Sequence, residues 1–370
     1  MTELLTSPLH AEHEKLGATF TAFGPWNMPL KYQNELDEHR AVRNTAGLFD
    51  LSHMGEIWVN GADADKFLSY AFISNFEPLK VGKAKYSMIA AEDGGIIDDL
   101  ITYRFEKDKF LVVPNAGNAD TVWDELNKRA EGFDVSLKNE SRDVAMIAVQ
   151  GPKAAEILVP LVEDNKQDEV FNLGYYAATM GKVARTFAII ARTGYTGEDG
   201  FELIVYNSDA PQLWEELLKA GAEYDLKPCG LAARDSLRLE AGMPLYGNEL
   251  SRDITPVEAG MARAFAKKEA DFVGSEVIRQ RAADGPQVAI TGLTSAQRRA
   301  ARAGAEVFAG EKKVGAITSG QPSPTLGHPV AIALLDTSAE LEPGTEVEVD
   351  IRGKRYPFEV TALPFYKRDK

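Results

Sequence analysis

The chain changes texture near residue 285, and no other feature narrows its fold as much. Up to about residue 275, helical and extended stretches are mixed. Residues 120–129 carry Trp123 and Leu126 at helical spacing. Gly151-Pro152 opens a second helix, since proline suits a first helical turn, and Ile157, Leu158 and Leu161 give it an apolar side. Ser208 or Asp209 caps a third, which holds Leu213, Trp214, Leu217 and Leu218 and stops at Gly221. A fourth runs from about Gly230 to Ala241 and ends at Gly242. Between them lie extended segments at 56–60, 109–113, 144–149, 187–192 and 201–206. The last two flank the loop TGYTGEDG and are expected to pair as a hairpin. Strands and helices without strict βα alternation imply an α+β fold with antiparallel sheets.

Beyond residue 285 the strand candidates are short: 288–293, 306–308, 314–318, 331–335, 346–351 and 358–362. Turns such as Pro343-Gly344 and Arg352-Gly353-Lys354 separate them, which suggests an all-β barrel or sandwich. A chain of 370 residues exceeds what one core usually organises. The expected division is therefore 1–275 and 285–370, with the boundary in the AADG stretch at 282–285.

A net charge of −15 argues against nucleic acid as a partner, because a phosphate backbone would be repelled. The one dense basic run, Arg298, Arg299 and Arg302, reads as solvated surface, with docking of an acidic carrier as the alternative. The single cysteine, Cys229, rules out an internal disulfide and a thiolate zinc cluster. His10 and His13 are three apart but have no third ligand nearby, so no metal is expected. The first residues, MTELLTSPLHAEHEKLG, lack the apolar run of a secretory signal, and no stretch reaches the ~18 apolar residues of a membrane span. A cytoplasmic location is expected.

Four stretches place glycine beside charge. In DGGIIDDL, at 93–100, Asp98 and Asp99 are adjacent, and an extended backbone would turn one inward and one outward. An inward carboxylate is costly without a partner; the alternative is a solvated turn. In RTGYTGEDGFE, at 192–202, the glycines permit close backbone approach and Tyr195 offers a stacking face, so a ligand loop competes with a plain hairpin loop. In GLAARDSLRLEAGMPLYG, at 230–247, Arg234 and Arg238 share a helix face. Either Asp235 and Glu240 neutralise them, or an arginine clamps an anionic ligand. In FDLSHM, Ser52 and His53 lack a third triad member and no G-x-S-x-G occurs, so His53 reads as core or wall. P-loop and G-x-G-x-x-G patterns are absent. The residues alone support a ligand-binding α+β protein with a small β domain.

Taken in order, these stretches resemble the glycine cleavage T-protein family. The resemblance rests on FGPWNMPL at 23–30, HRAVRNTAGLFDLSHMGE at 39–56, KAKYS at 83–87 and GGIIDDLITY at 94–103. It continues through VVPNAGNAD at 112–120, AVQGP at 148–152, RTGYTGEDGFE at 192–202, CGLAARDSLRLEAGMPLYGNEL at 229–250 and ITSGQPSPTLG at 317–327. It implies three lobes around a central channel, two interleaved α+β subdomains and the C-terminal β domain. It also implies an aminomethyltransferase that uses tetrahydrofolate as co-substrate and no metal, with a lipoylated H protein as partner. By position, Asp99 is the catalytic aspartate and Glu202 the pterin-reading carboxylate. Tyr86, Asn115 and Tyr195 fall along the folate channel, and Arg234 lies near the folate. Pro114 departs from the pattern and removes an amide donor beside Asn115. Two relatives in the superfamily are alternatives. A folate-dependent demethylase would commonly alter the Asp-Asp segment, which here is intact. A folate-binding iron–sulfur assembly factor would carry K-G-C-Y-x-G-Q-E, whereas Cys229 sits in Lys227-Pro228-Cys229-Gly230.

Overall fold

A computed structural model describes residues 4–368, so the first three residues of the segment read for a targeting signal lie outside the description. The residues group into two units, each discontinuous in sequence. The first comprises residues up to 71 with 75–87 and 100–234; the second comprises 72–74, 88–99 and residues from 235 onward.

In the first unit a six-stranded sheet runs in the order Ala178–Val183, Thr186–Ala191, Gly200–Tyr206, Val144–Gln150, Gly47–Asp50 and Lys227–Cys229. The expected hairpin forms, with Ala191 opposite Glu202. Val144–Gln150 is buried at every residue, which explains why it reads VAMIAVQ rather than alternating. Helix Ala210–Ala220 packs Leu213, Trp214 and Leu217 into the cluster formed by Ile147, Val149, Leu203 and Val205. Asp209 stands at its N-cap position but makes no side-chain cap bond. Its backbone is helical rather than extended there, which turns the carboxylate away from the first N–H groups. The helix expected at Gly151-Pro152 starts later, at Ala154–Leu158, and closes in a 3-10 turn, Val159–Leu161. A second sheet has the order Ala84–Ala90, Ile96–Glu106, Lys109–Pro114, Ile57–Asn60 and Ser136–Asn139.

Six strands of the second unit close into a barrel: Val288–Thr294, Pro329–Asp336, Lys312–Pro322, Glu306–Ala309, Glu346–Asp350 and Arg355–Thr361. Pairing of the first with the last removes both sheet edges. The alternating side chains Leu293, Val307, Ile317, Ala333, Val349 and Phe358 fill the interior. All six strand candidates are present. Arg298, Arg299 and Arg302 are exposed, with Arg302 donating to the Gly320 carbonyl at 3.1 Å and Arg299 over the Tyr356 ring. No helix among the described residues is long and apolar enough to cross a membrane.

Candidate functional site

In the first unit the site grows from one strand position. Glu202 lies in Gly200–Tyr206, hydrogen-bonded on both sides within the sheet. The Thr193 hydroxyl donates to its Oε2, and the Tyr103 hydroxyl reaches the same oxygen at 3.5 Å while lying 2.9 Å from the Thr193 hydroxyl. Burial pushes the Glu202 carboxyl above its ordinary range, while Thr193, the Arg234 charge and Tyr103 pull it back. Burial, with the charge of Glu202, also holds the Tyr103 phenol well above its ordinary value. Tyr103 therefore stays protonated as a donor.

The loop before Glu202 is built on Gln150. Its amide donates to the Thr193 carbonyl at 3.0 Å and accepts from the Thr196 hydroxyl at 2.9 Å. A Cβ on Gly194 would stand 2.1 Å from Gln150 Oε1, and one on Gly200 2.4 Å from Nε2. Two of the loop's glycines thus serve a close approach to a buried amide of the protein itself. Arg43 adds bonds to the Thr196 carbonyl at 2.7 Å and Glu198 at 2.9 Å, and Arg192 grips Asp199 through two nitrogens at 3.0 and 2.6 Å. The loop presents Tyr195, and the Arg234 guanidinium lies 4.6 Å from its ring centroid.

The two arginines of the helix Leu231–Glu240 part company. Arg238, in the second unit, is buried and bonded to Asp235 at 2.8 Å, Glu249 at 3.0 Å and the Ser319 hydroxyl at 2.8 Å. Glu240 accepts from Ser323 and Thr325 rather than from an arginine. Arg234, in the first unit, places its charge near enough to act on Glu202 and His53. His53 is 1% exposed, edge-on to Phe23, and neither ring nitrogen has a hydrogen-bond partner among the described residues. Burial, then Arg234, lowers its pKa to about 3, so it is neutral near pH 7. Asn115 follows the strand Lys109–Pro114, whose last carbonyl accepts from Gly55 at 3.0 Å, and Tyr86 lies in Ala84–Ala90; both are partly exposed.

Asp99 belongs to the second unit. Asp98 is fully buried and Asp99 partly exposed, the alternation expected of a strand. The turn ahead of them needs its glycines: Gly94 has φ +85° and a Cβ on Gly95 would meet the Arg252 carbonyl at 2.0 Å. Tyr246 donates to the Ile96 carbonyl at 3.0 Å. Burial raises its phenol, and the charges of Asp98 and Asp99 add to the rise. Sequence reasoning passed over Tyr246, Tyr103 and Thr193, whose only signal was a hydroxyl within or beside a matched motif. His13, paired above with His10, is buried in a network with Asp50 at 2.8 Å and Tyr32 at 2.9 Å. Among the described residues no cluster of three metal-ligating side chains occurs.

Residues 9–269 match the GCVT N-terminal domain, and residues 289–367 match the glycine cleavage T-protein C-terminal barrel domain. The chain is 83% identical to an aminomethyltransferase of Corynebacterium aurimucosum, with both chains covered fully. It is 52% identical to one of Streptomyces coelicolor, covering 100% of this chain and 99% of that one. The crystal structure of the glycine cleavage system aminomethyltransferase T of Bartonella henselae superposes with a TM-score of 0.91 at 40% identity, covering 98% of each chain. The chain belongs to the glycine cleavage T-protein family.

Proposed function

We propose that this chain, an aminomethyltransferase of the glycine cleavage system, takes its methylene carbon from the aminomethyl-dihydrolipoyl arm of a lipoylated H protein and delivers it to tetrahydrofolate. The products are 5,10-methylenetetrahydrofolate, ammonia and the dihydrolipoyl carrier. The observation that carries the folate reading is Glu202, a carboxyl group held in mid-sheet by two hydroxyls, where burial raises its pKa and Thr193 and the Arg234 charge oppose the rise. Such a group accepts two parallel N–H bonds from the amino group and ring of a pterin, a pattern no neutral side chain matches as well. Tyr195, stacked under Arg234, supplies a flat wall, and Tyr86 and Asn115 are assigned to the folate path by the family resemblance. Arg234 also suits an anionic tail. Asp99 is assigned as the catalytic residue: a carboxylate there stabilises positive charge as the carbon leaves sulfur and can take up a proton. Residues 1–275 form the folate-binding region and 285–370 its companion domain. The chain works in the cytoplasm, and a net charge of −15 keeps it off nucleic acid.

The deciding experiment is ammonia release from aminomethylated H protein with and without tetrahydrofolate. Release that requires both, with methylenetetrahydrofolate formed in step, is expected. Folate binding without turnover would direct the assignment to a methylated sulfur or nitrogen donor instead.

A further inference from the structure

A cleft of about 370 Å³ opens in the first unit, lined by none of the residues assigned above to folate. It is lined by Trp58 and Leu111 from one sheet and by Val144, Met180, Ile189 and Ile204 from the other. Phe187 and Tyr206 flank it, each more than half exposed, which is unusual for large apolar side chains. Glu56 lines the cleft although it is only 2% exposed, and neither carboxyl oxygen has a hydrogen-bond partner among the described residues. Its backbone is satisfied, with the amide donating to Ser141 at 2.8 Å and the carbonyl accepting from Glu140 at 2.9 Å. Only the carboxyl is left over. Buried polar groups without partners are costly, so an orphan carboxyl lining an apolar cleft of this volume points to a ligand.

The surroundings choose the ligand's chemistry. Burial, aided by the Glu140 charge, holds the Glu56 carboxyl well above its ordinary range, so it presents an O–H donor beside a C=O acceptor. Glu140 is already engaged, by the Trp58 indole N–H at 2.8 Å and by Lys138. Lys109 lies over the Trp58 ring, 4.9 Å from its centroid. With two lysines lining the cleft and one of its two glutamates neutral, an ammonium head is repelled. A carboxylate head would accept the O–H but face the carbonyl oxygen of Glu56. An amide matches both halves at once.

We propose that this cleft binds a small ligand with an apolar body whose amide presents N–H and C=O side by side to Glu56. Ile204 and Tyr206 alternate with Glu202 on one strand, so the cleft lies farther along the same sheet face as the folate carboxylate. It is a second site there.

Benzamide is the probe, with benzylamine and benzoate as cationic and anionic counterparts, each titrated calorimetrically into the full chain and soaked into its crystals. Benzamide is expected to bind saturably against Glu56, and the other two at least about tenfold more weakly. Glu56→Gln keeps a donor beside an acceptor, so benzamide affinity should stay within about threefold, whereas Glu56→Leu should weaken it about tenfold or more. Met180→Trp, which fills the cleft from the other wall, should abolish binding without touching Glu56. Saturating tetrahydrofolate should leave benzamide affinity unchanged. The proposal is overturned by absent saturable binding, by a preference for benzylamine, by loss of benzamide in Glu56→Gln, or by displacement with folate. It is equally overturned if Met180→Trp binds as the parent does.

Discussion

At the residue scale, the two carboxylates proposed to serve the reaction make separate predictions. Asp99→Asn keeps the shape of the strand and should bind tetrahydrofolate normally while losing most turnover, which steady-state assays resolve as lowered kcat with unchanged KM. Activity within about threefold of the parent would remove Asp99 from its role. Glu202→Ala should instead raise the folate KM by about tenfold or more, since it removes the two charge-assisted bonds proposed to the pterin. Because burial raises the Glu202 carboxyl above its ordinary 4.5, folate affinity should begin to fall at a higher pH than a free glutamate would dictate. His53 makes a separate prediction. Its pKa falls from 6.5 in the unfolded chain to about 3 in the fold, so below pH 6.5 the unfolded state takes up a proton that the folded state refuses. Stability that is whole above pH 6.5 is lost as the pH falls toward 3, by a few kcal/mol on the scale of 1.4 per pK unit. His53→Phe, similar in shape and without nitrogens to satisfy, should flatten that limb in urea unfolding between those pH values. An unchanged slope would mean that His53 is not the group responsible.

At the element scale, the loop 193–199 is held by Gln150 from the strand Val144–Gln150, by Arg43 from the helix Glu35–Asn44 and by Arg192 at its own start. Gly194→Ala drives a methyl to 2.1 Å from the Gln150 side chain, and the loop has to shift. The expected result is a loss of about 1–3 kcal/mol of stability together with a raised folate KM, because the shift carries Tyr195 with it. A change in stability with folate KM unaltered would detach Tyr195 from binding. Strands and hairpin were legible in the sequence because buried runs such as VAMIAVQ and turn glycines act locally. The division of labour between Arg234 and Arg238 was not. Four-residue spacing puts both on one face, and only Glu249 and Ser319, far along the chain, claim Arg238. Glu202 likewise reads as an ordinary strand residue until Tyr103, about a hundred residues earlier, is folded beside it. Only the family resemblance, not the spacing, singles it out in the sequence.

At the scale of the whole chain, the barrel is joined to its own unit by a buried charge network rather than by apolar contact alone. Glu249 is fully buried; one oxygen accepts from Arg238 at 3.0 Å and the Leu245 amide at 2.9 Å, the other from the Thr318 and Ser319 hydroxyls at 2.5 and 2.6 Å. Thr318 and Ser319 lie in the barrel strand Lys312–Pro322, at the bulge after Ile317, where the ladder slips by one residue. The bulge therefore has a structural use, turning both hydroxyls to one carboxylate. Glu249→Ala leaves Arg238 buried with Asp235 as its remaining carboxylate and removes an acceptor shared by the Thr318 and Ser319 hydroxyls, a defect of about 3–5 kcal/mol. Removing both charges, Arg238→Leu with Glu249→Leu, should cost less than Glu249→Ala alone, since no unpaired ion remains. Denaturant unfolding of the parent, both single variants and the double variant measures this. A double variant as damaged as the sum of its singles would show that the two charges act independently, and that the barrel is held chiefly by the Leu239, Val330 and Ile332 cluster.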